Sequence, residues 1–196
     1  MPKIVDHHAR RSEIIRATRR VIVRDGIEAT TIREIAREAD CSAGVLSHYF
    51  RDKSEILALV HRSAFSEVAE RAERRNVGVT GVAALRNALH EALPLDAYRR
   101  EEAVLDANLW TAAVRDPTLR AVRHQSVVNA RPWWTRMLTE GRVSGQIRTT
   151  SLDTVLCDRI MALIDGASVA TLLYPEELNA SRIMAMADAF LDDICR

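Results

Sequence analysis

The stretch Thr30-Thr31-Ile32-Arg33-Glu34-Ile35-Ala36-Arg37-Glu38-Ala39-Asp40-Cys41-Ser42-Ala43-Gly44-Val45-Leu46-Ser47-His48-Tyr49-Phe50-Arg51-Asp52-Lys53 holds two short helical patterns joined by a tight turn. Thr31 and Glu34 form a Thr-x-x-Glu capping box that starts the first helix. Ile32, Ile35, Ala36 and Ala39 give it an inward face, and Asp40 and Cys41 turn the chain. Ser42 is a good N-cap for the second helix, which runs to Tyr49 with Val45 and Leu46 inward. Two helices so joined make a helix-turn-helix. The second is short and polar on one face, a shape that enters the major groove with its first residues at the base edges.

Ser42, Ala43 and Gly44 are small and permit close approach to a duplex. Thr30 and Thr31 sit where a helix N-terminus meets a phosphate, and Lys53 with Ser54 offers a second such point. His48 and Tyr49 can donate to phosphate oxygens; contacts of that kind fix register and carry little sequence information. Plainer readings stand beside these. Thr31 caps its helix with or without DNA, Phe50 is a core residue, and His48 alone is a surface histidine. The combination, in order and at this spacing, is the specific signal.

Outward from this segment the helical period continues. A helix over residues 9–24, with Ile14, Ala17, Val21 and Ile22 in its stripe, is stopped by Gly26. Further helices are expected over residues 54–74, 82–93, 95–115, 118–141 (with a kink at Pro132), 152–173 and 177–194. Residues 76–81 break the pattern, and 143–150 read as a loop. With no alternating strand pattern, the fold class is all-α, about nine helices. Residues 1–53 are expected to form a three-helix domain, and residues 54–196 a larger helical bundle.

Hydrophobic residues make up 47% of the 196 and charged residues 28%, which excludes disorder. No apolar run reaches the roughly 18 residues of a membrane span, and the first eleven residues contain no apolar leader. A cytoplasmic location is expected. Cys41, Cys157 and Cys195 lack metal or disulfide spacing and read as small apolar residues. His7 and His8 read as solvated, so neither a metal nor a cofactor is expected. No nucleophile motif or phosphate loop is present, which leaves an enzyme reading without residues. Net charge is +1, but residues 1–53 carry 11 Lys+Arg against 8 Asp+Glu, and residues 54–196 carry 17 against 19. Basic charge is thus mildly concentrated in the first quarter.

Thr30–Ala36, Ser42–Phe50 and Asp52–Glu55 together resemble the TetR family of one-component regulators, over about residues 11–59. The resemblance implies a ligand-responsive repressor acting as a homodimer on double-stranded, palindromic operator DNA. Residues 42–49 would be the recognition helix, with Arg33 in the helix before it. Thr31, Tyr49 and Lys53 would hold phosphates, and Arg10 or Arg11 would reach the backbone or minor groove. Many members carry Thr, Tyr and a basic residue where this chain has Val45, Ser47 and Ala43. Fewer charged base contacts and more shape readout follow. Leu46–Lys53 and Ala162–Gly166 are similar to the branch of choline-responsive repressors of the glycine betaine pathway.

In that family the last two helices form the dimer interface. Here Leu156, Ile160, Leu163, Ile164 and Ala167, then Ile183, Ala187, Phe190 and Leu191, belong to helices apolar on more than one face. A central helix within a monomer gives the same pattern; twofold symmetry on palindromic DNA favours the dimer. The resemblance places an effector pocket among helices four to seven. Its candidate lining is His61, Phe65, Tyr98, Asp106, Leu109, Trp110, Trp133, Trp134 and Met137. Aromatic faces hold quaternary ammonium ions by cation–π attraction, and Asp106 or Glu102 would pair such a cation. The same aromatics also serve as plain core. An effector-independent DNA-binding activator or architectural protein, and a small helical enzyme or carrier, are the alternatives.

Overall fold

The computed structural model describes residues 7–196; the part of the N-terminal reading that falls on Met1–Asp6 lies outside them. Among the described residues there are nine α-helices and no strand. They are α1 (His7–Asp25), α2 (Ile32–Glu38), α3 (Ala43–Tyr49), α4 (Lys53–Arg75), α5 (Gly81–Ala92), α6 (Ala97–Arg115), α7 (Pro117–Val143), α8 (Asp153–Leu173) and α9 (Ala180–Cys195).

Local chemistry sets the ends. Gly26 follows α1 at φ +81° with its N–H on the Ile22 carbonyl, a left-handed cap that glycine adopts without strain. Thr31 and Ser42 cap α2 and α3 by accepting from the Glu34 and Val45 N–H groups. Only half of the capping box forms, because the Glu34 carboxylate turns to Arg37. α6 begins at Ala97 rather than 95, since Leu93–Leu95 makes a turn and Asp96 accepts from the Arg99 N–H. α9 begins at Ala180 rather than 177, where Asn179 caps it after a turn on Tyr174. α7 carries Pro132 and stays continuous.

The described chain forms two compact units. The first holds the described residues up to Ala64 together with Leu105–Arg123. Ile14, Ile22, Ile35, Leu46 and Phe50 pack there with Ile56, Val60, Leu105 and Leu109. The first three helices therefore share one core with the first part of α4 and parts of α6 and α7. The second unit holds Phe65–Val104 and His124–Arg196, around Leu85, Leu89, Trp134, Leu138, Leu156, Ile160 and Ile183. α5 meets the end of α7 closely here. Gly81, at φ +63°, has no room for a Cβ, which would fall 2.5 Å from Gln146 Oε1 and 3.3 Å from Gly141 Cα.

Candidate functional site

In the first unit the turn between α2 and α3 is held from α1. Arg10 donates to the Asp40 carbonyl (3.1 Å), and Asp40 takes φ 47°. Arg11 donates to the Tyr49 carbonyl (3.2 Å) and to Glu55 (2.8 Å), with its guanidinium over the Phe50 ring. Leu46 and Phe50 are buried below. With its apolar side anchored, α3 exposes Ala43, Gly44, Ser47 and His48, next to its exposed cap Ser42. Thr31 and Arg33 are exposed on the neighbouring helix. Tyr49 is half-buried, with the rings of His48 and His7 each 5.4 Å from its own.

Three residues expected at this face donate to the chain's own backbone. Thr30 is fully buried and donates to the Gly26 carbonyl (2.8 Å). Lys53 donates to the Ile27 carbonyl (3.0 Å), and burial pulls its pKa down. Arg11 is spent on Tyr49 and Glu55, as above. All three satisfy backbone carbonyls that the tight turns leave without a helical partner. They brace the unit, and the exposed row is Thr31, Arg33, Ser42, Ala43, Gly44, Ser47 and His48.

Of the candidate effector residues, His61, Asp106, Leu109 and Trp110 fall in the first unit. His61 is buried, its Nδ1 3.7 Å from an Asp106 carboxylate oxygen. His61, Leu109 and Trp110 line a narrow cavity with Ala113, Leu119, Val122 and Arg123. Its volume is about 10 Å³, roughly what one water needs. Arg123 lies over the Trp110 ring at 5.3 Å.

Phe65, Tyr98, Trp133, Trp134 and Met137 fall in the second unit. Trp134 and Met137 are buried in its core, and Phe65 and Trp133 pack against it. Trp133 meets Trp134 edge-on at 4.6 Å and donates to Glu73. The Tyr98 ring carries Arg71 at 5.3 Å, while its hydroxyl donates to Glu67 (3.1 Å). Glu102, weighed above as a partner for a cation, is buried and takes two hydrogen bonds from Arg71 (2.7 and 2.9 Å). Glu91, equally buried, takes Arg71, Arg75 and Arg99. Burial pushes the Glu91 carboxyl up, and hydrogen bonds from Arg99, Arg75 and Arg71 more than reverse this, holding it at about 2. Sequence reading missed this network. Its one signal is the spacing of Arg71 and Arg75 on α4 and of Arg99 and Glu102 on α6, which solvated helix faces also show.

α8 and α9 turn out two-faced. Leu156, Ile160, Ala167, Ile183, Ala187 and Leu191, expected to meet a partner, are buried in their own unit. Phe190 is buried with Arg159 over its ring, and Leu163 and Ile164 are half-buried. The large side chains fill the chain's own core because it offers them the most contacts. The outward row is instead Val155, Ala162, Gly166, Val169 and Leu173 on α8, with Ala185, Met186 and Ala189 on α9.

A braced three-helix unit that exposes a short, small-faced helix defines the helix-turn-helix class of DNA-binding proteins. Residues 14–60 match the model of bacterial regulatory proteins of the tetR family, and residues 81–196 match the C-terminal model of BetI-type transcriptional repressors. The chain belongs to the TetR family of transcriptional regulators, with a BetI-type C-terminal domain. The HTH-type transcriptional regulator PksA of Bacillus subtilis is 28% identical over 199 residues, covering 100% of this chain and 94% of that one. The regulator BetI of Burkholderia mallei is 27% identical over 197 residues, covering 99% and 97%. Among solved structures, a transcriptional regulator of Rhodococcus has TM-score 0.82 at 24% identity, over 94% of this chain and 95% of that one. A regulator of Saccharomonospora viridis, solved in complex with choline, has TM-score 0.84 at 20% identity, over 94% and 96%. The family and relatives are regulators, not enzymes. No described helix is long and apolar enough to cross a membrane, and no described group of three or more His, Cys, Asp or Glu is arranged for a metal.

Proposed function

We propose that the protein is a homodimeric repressor that binds a palindromic operator through residues 1–53 and is released by a small-molecule effector taken up within residues 54–196. The observation that carries this is α3, anchored by Leu46 and Phe50 and exposing Ala43, Gly44, Ser47 and His48. Thr31, Arg33, Ser42 and Tyr49 add polar contacts around it. Thr30, Lys53 and Arg11 act one step back by holding the turns. Two copies joined through the outward rows of α8 and α9 would offer one such helix to each half of a palindromic site. Leu163, Ile164 and Phe190 border that face.

An effector that binds the DNA-incompetent arrangement more tightly draws the population away from the operator. Coupling of about 1–3 kcal/mol is usual, a roughly 5–150-fold loss of affinity. A quaternary amine is one candidate, supported by the choline bound to the Saccharomonospora neighbour and by the adjoining Trp133 and Trp134 rings. Effector-independent binding is the second reading, supported by the very small volume beside Trp110.

The test is fluorescence anisotropy with DNA from the gene's own upstream region. Specific binding should exceed random competitor by about a thousandfold or more, weaken steeply with salt, and fall in Ser47→Ala and His48→Ala. Equal affinity for random DNA refutes the repressor reading. Crystals with and without effector that keep the same separation of the two Tyr49 residues refute the release mechanism.

A further inference from the structure

The geometry points to a carboxylate with an apolar body, rather than a cation, as the ligand of the cavity beside Trp110. This rests on the effector-responsive reading and names the chemistry of one of its sites. The cavity lies wholly within the first unit, between α4, α6 and α7. Leu109, Ala113, Leu119 and Val122 give it apolar walls. Its polar lining is His61, Trp110 and Arg123. No carboxylate, amide or hydroxyl side chain is among these lining groups.

Two features choose between ligand classes. The Trp110 indole Nε1 is buried and finds no hydrogen-bond partner among the described residues. An indole N–H is a donor only, and a buried donor left unsatisfied is costly, so the complement it lacks is an acceptor. The face of the same ring is covered by the Arg123 guanidinium at 5.3 Å. A quaternary ammonium would meet a like charge on the aromatic surface it needs. A carboxylate would meet an indole N–H and a guanidinium together, the pairing that makes charge-assisted hydrogen bonds. Asp106 does not reverse this: it does not line the cavity, and it stands 3.7 Å from His61 Nδ1. With space for about one water, entry requires displacement of a wall. The half-exposed Arg123 is the side chain placed to swing outward and close again over the bound oxygen atoms.

The test compares sodium benzoate and hexanoate with choline and tetramethylammonium chloride, at matched ionic strength, on the full-length protein. Acetate is the control, too short to fill the apolar walls. Melting temperature and operator release are both read. At about 10 mM, benzoate or hexanoate should raise the melting temperature by several degrees and weaken operator binding, with choline inert. Trp110→Phe keeps the ring and removes the donor, and should weaken the carboxylate by about tenfold, worth about 1.4 kcal/mol. Arg123→Gln should abolish the response. Ala113→Leu, which fills the cavity, should leave a folded protein that still binds operator and no longer answers the carboxylate. Stabilisation by choline and not by carboxylates overturns the proposal, as does a carboxylate response that survives Trp110→Phe and Arg123→Gln. Silence of every probe overturns it too. In these cases intact operator binding shows that the repressor reading stands apart from the ligand class.

Discussion

At the scale of single residues, Gly44 separates what the fold needs from what a partner needs. It lies in α3 with an ordinary φ, and a Cβ there would meet only Ser42 Oγ, at 3.7 Å. Nothing within the chain asks for glycine, which costs a helix roughly 1 kcal/mol relative to alanine. Gly44→Ala should therefore raise stability by about 0.5–1 kcal/mol in urea melts, and lower operator affinity about tenfold where the duplex comes close. Unchanged affinity would show that DNA does not approach Gly44. The sequence marked this residue because small side chains clustered at the start of α3. It did not show that Thr30, Lys53 and Arg11 donate to the chain's own carbonyls, because a polar side chain near a helix end reads the same whether it faces a phosphate or its own Gly26, Ile27 or Tyr49 carbonyl. Only the folded path of the turns tells the two apart.

At the scale of elements, the buried charges of the second unit tie α4, α5 and α6 together through Arg71, Glu91, Arg99 and Glu102. The folded state holds the Glu91 carboxyl at about 2, below its ordinary 4.5. Its contribution is complete above pH of about 4.5 and disappears as pH falls towards about 2; it is on the order of 3 kcal/mol. Urea melts of wild type and Glu91→Gln should differ by about 3–5 kcal/mol at neutral pH, and the gap should narrow through pH of about 3 and close only below about 2. A constant gap would place the effect in packing rather than charge. Helix positions were legible, since Gly26, Pro94 and Asp116 punctuate the pattern. This network was not, because burial of Glu91 and Glu102 depends on which faces three separate helices turn together.

At the scale of the molecule, pairing of two chains is set by the outward row of α8 and α9 in the proposal above. Val169→Glu should give monomers in sedimentation velocity and lose most operator affinity, since each half-site is then bound alone. Leu191→Ala, in the core, should lower stability by about 2–5 kcal/mol and leave the folded protein dimeric. The reverse pattern would place the contact elsewhere. Periodicity showed that α8 carries two apolar faces. It did not show that Leu156 and Ile160 turn inward while Val155, Gly166 and Val169 turn out, because both sets share the helical repeat. The same α3 that defines the class contains no Lys, Arg, Asp or Glu. Its outward row is close to a blank template. In a lineage of duplicated regulators, one new arginine at Ala43 or Ser47 would add a guanine preference in a single step, and the braces at Arg10 and Arg11 would keep the scaffold intact while the target drifts.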